Sequence, residues 1–176
     1  MIVGIVAAKA NSIRFPDKNI FVFKGKPLFW HSVQPLLDAK LVDKVYVVTD
    51  SQYIKGICDK NMVDVIWRPK NATLDADPLL SILKFAYYNL NDPYEMIATI
   101  MANCPGHTSN MVDQAILMMK SGKYLEIRSF NDQNEESGLM VFNKVVINNY
   151  SQISSHIGSI KSNVHEIHYK EDLNEF

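Results

Sequence analysis

The chain has 176 residues, enough to bury a full core in one domain, and 47% of them are hydrophobic. With 18 Lys and Arg against 19 Asp and Glu, it carries a net charge of -1, which excludes the global basic field that nonspecific nucleic-acid binding needs. Its two cysteines, Cys58 and Cys104, lack metal-ligand spacing, and neither a signal peptide nor an apolar run of membrane-spanning length is present. A reduced, cytoplasmic, single-domain protein spanning 1–176 is expected, with small-molecule partners, no nucleic acid and no membrane.

Ile2, Val3, Ile5 and Val6 form a β-branched run with almost no polar interruption, the pattern of a strand buried on both faces. A polar loop follows, carrying Lys9, Asn11, Ser12, Arg14 and Lys18. At the carboxyl end of a first parallel strand such a loop faces the ligand crevice, and three cations with a hydroxyl and an amide suit a polyphosphate. Lys24-Gly25-Lys26-Pro27 reads as a turn whose proline opens a helix, with Leu28, Trp30, Val33, Leu36 and Leu37 at helical spacing and Pro35 shortening or kinking it.

Val42 to Asp50 is the second strand. Thr49, Asp50 or Ser51 can cap the helix Gln52 to Lys60. Val63 to Trp67 is a third strand, ended by Arg68-Pro69, and the order so far predicts a parallel sheet with helices on its faces. Pro78 to Leu90 reads as an amphipathic helix behind Asp77, Met96 to Met101 as a fourth strand, and Thr108 or Ser109 starts a helix through Met119. Tyr124 to Phe130 is a fifth strand, Asn131 to Ser137 a solvated loop, and Leu139 to Phe142 and Val145 to Ile147 are further apolar runs. From Val164 the tail alternates like a strand through Ile167 and then begins a helix.

Ala8, Ser12, Pro16, Lys18 and Asn19 match the opening A-R-G-G-S-x-x-x-P-x-K-N of one family branch, and Arg14 matches the arginine of a second. Gly25-Lys26-Pro27-Leu28, the VVTDS at Val47 to Ser51, Arg68-Pro69, Asp75 to Pro78 and the tail E-x-x-x-x-E-D-L follow in order. The chain therefore resembles the cytidylyltransferases that activate acidic sugars, acylneuraminate and Kdo cytidylyltransferase. The resemblance implies an α/β, three-layer αβα domain with a mostly parallel sheet, of the nucleotide-diphospho-sugar transferase (A-type glycosyltransferase-like) fold. It also implies transfer of CMP from CTP to a sialic acid-like or Kdo-like sugar with release of pyrophosphate, and the possibility of a homodimer. By the same resemblance Lys9 and Lys18 hold the triphosphate in catalysis, Ala8, Ser12, Arg14, Asn19 and Arg68 lie at the nucleotide, and Mg2+ is bridged by tail carboxylates, of which Glu166 is the candidate.

The chain departs from that pattern at several points. Lys9 replaces an arginine, and Ala10 and Asn11 replace glycines. Met101 stands for the base-side glutamine and Asn103 for a Kdo-type metal aspartate, while Glu166-Ile167-His168 replaces a D-x-D pair. These losses admit an alternative, a catalytically weakened nucleotide- or sugar-binding module of the same fold. Asp75-Ala76-Asp77 is literally D-x-D, which admits an A-type glycosyltransferase, although its place before a helix favours capping. His31, His107, His156 and His165 have no metal spacing and are expected on the surface or in loops.

Overall fold

In the computed structural model, described for residues 1–10, 12, 14–68, 79–90, 93–149 and 156–175, the first strand, β1 (Ile2–Ala7), lies inside the sheet with a parallel neighbour on either side. Its alternation sends Ile2 and Val6 to one face and Val3 and Ile5 to the other, all buried. A hairpin of β2 (Val22–Phe23) and β3 (Lys26–Pro27) precedes α1 (Trp30–Asp38), so Pro27 ends the hairpin and the helix begins three residues later. Then come β4 (Lys44–Thr49), α2 (Gln52–Lys60), β5 (Asp64–Trp67), α3 (Leu79–Tyr88), β6 (Met96–Ile100) and α4 (Ser109–Lys120). The chain continues through β7 (Glu126–Phe130), β8 (Glu136–Asn143), α5 (Lys144–Asn148), β9 (Ile157–Lys161) and a 3-10 turn at Glu171–Glu175.

The seven-stranded sheet has the order β5-β4-β1-β6-β8-β7-β9, and only β8 runs against its neighbours. One face packs on α1, α2 and α4 through Val33, Leu36, Ile54, Cys58, Val112 and Ile116; the other packs on α3 and α5 through Leu83, Ala86, Val146 and Ile147. This is the expected three-layer αβα architecture with a mostly parallel sheet. Cys58 and Cys104 are free and buried. Among the described residues no helix is long and apolar enough to cross a membrane.

The second half of the chain departs from the periodicity reading. The loop after β7 is shorter than the polar run implies, because Asn131 Oδ1 accepts from Gln133 N and Glu135 N and turns the chain directly into β8. Val145 to Ile147 is helical, started by Asn143, whose Oδ1 accepts from Val145 N at 3.0 Å. The tail at 164–168 forms no strand, and Ile167 is instead buried with Phe15 and Leu28 in a small separate core.

His107 is also a correction, since it is buried at 5% exposure. Its Nε2 donates to Ser137 O at 2.7 Å, and its Nδ1 accepts from Ser162 Oγ at 3.2 Å, so the neutral ring ties α4's approach to β8 and to the end of β9. Burial pushes the imidazole down to about 4, from an ordinary 6.5. The unfolded chain therefore takes up a proton first, so this contribution to stability is complete above about pH 6.5 and is lost as pH falls toward 4. Between pH 7 and pH 5 the loss is expected to be about 2 kcal/mol. Urea unfolding at the two pH values checks it, and His107→Gln should remove that increment of the pH dependence.

Candidate functional site

The site is built where the strands running with β1 end. Beyond β1 the parallel register continues for one residue, with Ala8 N donating to Val48 O at 2.9 Å, and then the chain turns away as Ala10 N donates to Asp50 Oδ1 at 2.6 Å. Asn19, buried, closes the loop: its Nδ2 donates to Lys9 O at 2.9 Å, and its own carbonyl accepts from Phe29 N at 3.0 Å. The start and the end of the cation loop are thus fixed to each other and to the approach to α1.

The tail fastens the loop from outside. Ile167 N donates to Asn103 O at 2.8 Å, while Ile167 O accepts from Asn103 Nδ2 at 3.1 Å and from Lys18 Nζ at 2.8 Å. Burial lowers the Lys18 pKa, and Glu166 nearby opposes that shift. A partly desolvated ammonium interacts with an anion more strongly than one in bulk water.

On the β4 side, Thr49 Oγ1 accepts from Ser51 N, and Ser51 Oγ accepts from Ile54 N, so Ser51 is the residue of the TDS group that caps α2. At the end of β5, Arg68 N donates to Thr49 O at 2.9 Å, and its buried guanidinium lies 6.0 Å from the centre of the Phe85 ring. Beyond β6, Met101 N donates to Gly138 O and Met101 O accepts from Ser32 Oγ, which holds the 101–103 turn in place.

These ends surround a cavity of about 230 Å³. Lys9, Ser12, Lys18, Asn19 and Arg68 line it together, with Val48, Thr49, Asp50, Leu79, Ile82, Met101 and Asn103. Ala8 is buried in the core beneath α1, outside the lining. Arg14 is exposed and stands outside the lining, its Nη1 3.4 Å from His168 Nδ1. Asp50 and Thr49 were legible only as cap candidates; their place at the end of a strand adjacent to β1 is the signal for a site role. Asn11, Pro69 and the Asp75 to Pro78 segment, including the D-x-D at Asp75 and Asp77, lie outside the described residues.

Comparison with known proteins supplies the family. The model of the family described as Cytidylyltransferase matches residues 3–160. The chain belongs to the cytidylyltransferase family. Among curated relatives, the N-acylneuraminate cytidylyltransferase of Streptococcus agalactiae is 25% identical over 137 residues, covering 77% of this chain and 33% of the relative. The 3-deoxy-manno-octulosonate cytidylyltransferase of Bdellovibrio bacteriovorus is 24% identical over 149 residues, 84% of this chain and 58% of that one. The chain thus spans about a third of the first relative's length and less than two thirds of the second's. In fold it matches the structure of a CMP-2-keto-3-deoxy-manno-octonic acid synthetase complexed with CTP at a TM-score of 0.82 and 12% identity, covering 99% of this chain and 95% of the other. It also matches the 4-diphosphocytidyl-2C-methyl-D-erythritol synthase of Anaerococcus prevotii at a TM-score of 0.72 and 12% identity, covering 99% of this chain and 93% of the other.

In this cytidylyltransferase-family chain the acidic tail position is already engaged. Glu166 Oε2 lies 3.2 Å from His168 Nε2 and 3.4 Å from Asn103 Nδ2. Among the described residues no group of three His, Cys, Asp or Glu is placed to hold a metal ion. Mg2+ requires oxygen ligands in near-octahedral array, whereas Glu166 is flanked by an amide nitrogen and an imidazole. At this point the tail thus offers one carboxylate, Glu166, and any Mg2+ there would take its remaining oxygen ligands from nucleotide phosphates and water.

Proposed function

We propose that this chain is a nucleotidyltransferase that moves CMP from CTP to an acidic sugar, sialic acid-like or Kdo-like, with release of pyrophosphate. The observation that carries the reading is the convergence of Lys9, Ser12, Lys18, Asn19 and Arg68 on one cavity at the carboxyl ends of β1, β4, β5 and β6, in a chain whose family is cytidylyltransferase. In the reaction the sugar's anomeric oxygen bonds to the α-phosphorus as the bond bridging the α- and β-phosphates breaks. The leaving pyrophosphate takes that electron pair, and the hydroxyl proton passes to solvent.

Such chemistry asks for positioning and charge neutralisation rather than covalent help. Lys9 and Lys18 take the phosphates, Ser12 adds a hydroxyl, and Asn19 holds the loop in shape. Arg68 serves the nucleoside end from its position near Phe85, while Ala8 supplies the backbone that leads β1 into the site. Arg14, tied to the tail through His168, adds positive potential from outside the cavity. No step is assigned to a metal ion.

Glu166, held between Asn103 and His168, favours a second reading in which nucleotide is bound without turnover. Titration with nucleoside triphosphates followed by urea or thermal unfolding tests both. CTP at about 100 times its dissociation constant is expected to add roughly 2.7 kcal/mol of stability, more than ATP, GTP or UTP at the same concentration. Pyrophosphate release on adding an acidic sugar then separates enzyme from binding module, and the absence of a shift with every nucleotide overturns both.

A further inference from the structure

Among the described residues that line the cavity, Asp50 is the acidic one, beside the cations Lys9, Lys18 and Arg68. It ends β4, is 7% exposed, and lines the same space as Lys9 and Lys18. It does not cap α2, because Ser51 does. Its Oδ1 accepts from Ala10 N at 2.6 Å, which ties the beginning of the cation loop to β4. A carboxylate has roughly four acceptor positions, so this bond leaves acceptor capacity on the cavity wall.

A ligand that carries phosphates cannot set them against that carboxylate without like-charge repulsion. Lys9, Ser12 and Lys18 therefore draw the phosphates, and Asp50, fastened to Ala10 at the start of the cation loop, is suited to a neutral donor. Val48, Leu79 and Ile82 line the same space and offer apolar contact to a flat ring. A cytidine nucleotide has two neutral donors to offer at its nucleoside end, the ribose 2′-hydroxyl and the exocyclic amine of cytosine, and carboxylates pair with such an amine elsewhere in nucleic-acid recognition.

We propose that Asp50 is a specificity-determining residue whose carboxylate accepts a hydrogen bond from one of these donors and fixes the direction in which the nucleotide lies. This rests on the reading of the cavity as a cytidine-nucleotide site. The test is isothermal titration of CTP, 2′-deoxy-CTP and UTP into the wild type and Asp50→Asn. Asparagine keeps an oxygen for Ala10 N–H but can turn a donor toward the cavity. A hydrogen bond to a charged acceptor is strong enough that the wild type is expected to bind CTP about 10- to 100-fold more tightly than the analogue lacking the donor. That analogue is UTP if the amine is read and 2′-deoxy-CTP if the hydroxyl is read. Asp50→Asn should erase that preference. If the asparagine variant does not fold, Asp50→Glu, which displaces the acceptor, should show the same loss. Preserved ratios in a folded variant, including an equal weakening of all three ligands, overturn the proposal and leave Asp50 as a loop fastener alone. Failure of the wild type to bind any of the three instead overturns the nucleotide reading on which it rests.

Discussion

Replacing Lys18 by alanine is expected to lower CMP transfer by about 10²-fold or more, the usual consequence of removing one preorganised charged donor from a developing phosphoryl charge. Lys18 is held for such a role from two sides. Its Nζ donates to Ile167 O at 2.8 Å, which aims the ammonium, and burial strips part of its hydration, which sharpens its interaction with an anion. The substitution leaves the tail anchored, because Asn103 bonds both the N–H and the carbonyl of Ile167, and the Ile167 side chain remains buried against Phe15 and Leu28. Loss of activity should therefore come without loss of fold. Steady-state kinetics check the assignment: if Lys18 acts in the transition state, kcat and kcat/KM fall together, whereas loss of a contact made equally in the ground and transition states raises KM alone. Lys18→Met, which keeps most of the aliphatic stem, should be as inactive as alanine. An unchanged rate in either variant would remove Lys18 from the machinery.

The first half of the sheet was readable because its information is local. Ile2 to Val6 and Val45 to Val48 are runs dominated by β-branched residues, interrupted only by Gly4 and Tyr46, and each gives way to polar residues at the end where the sheet opens. The cation loop follows β1 directly, so its place needed only the parallel order. Past residue 120 the structure depends on partners distant in sequence. β9 pairs in parallel with β7, Ile157 opposite Glu126 through Lys161 opposite Phe130, yet Gly158 and Ser159 interrupt its apolar pattern, so nothing within the segment marks a strand. Val145 to Ile147 is too short for its period to be read, and the Asn143 cap decides it. His107 looks like a loop histidine until Ser137 and Ser162 reach it from two other elements. Within the site, the TDS group offered three equivalent caps. Only the adjacency of β1 and β4 separates Ser51, which caps, from Asp50, which turns inward to Ala10.

Gly138→Ala is expected to destabilise the protein by about 2–5 kcal/mol. Gly138 has φ of +87° within β8, a conformation that costs an L side chain roughly 1–2 kcal/mol. A Cβ there would fall on Cys104 Sγ, with Cys104 Cβ at 3.0 Å and Met101 Cβ at 3.3 Å. Overpacking of this kind adds about 1–3 kcal/mol. Cys104 is fully buried and Met101 N is bonded to Gly138 O, so neither neighbour can withdraw without moving the turn that carries Asn103 to the cavity. The same substitution should then weaken nucleotide binding even where the protein remains folded. Urea unfolding gives the stability, and the double variant Gly138→Ala with Cys104→Ala separates the two causes. Removing the sulfur should recover the share of the packing cost that Cys104 Sγ causes and leave the backbone part, a coupling expected between residues in contact. A loss in Gly138→Ala of less than about 0.5 kcal/mol, the range of substitutions that disturb nothing, would mean that β8 bends away from β6 at this point and that the 101–103 turn is not held by it.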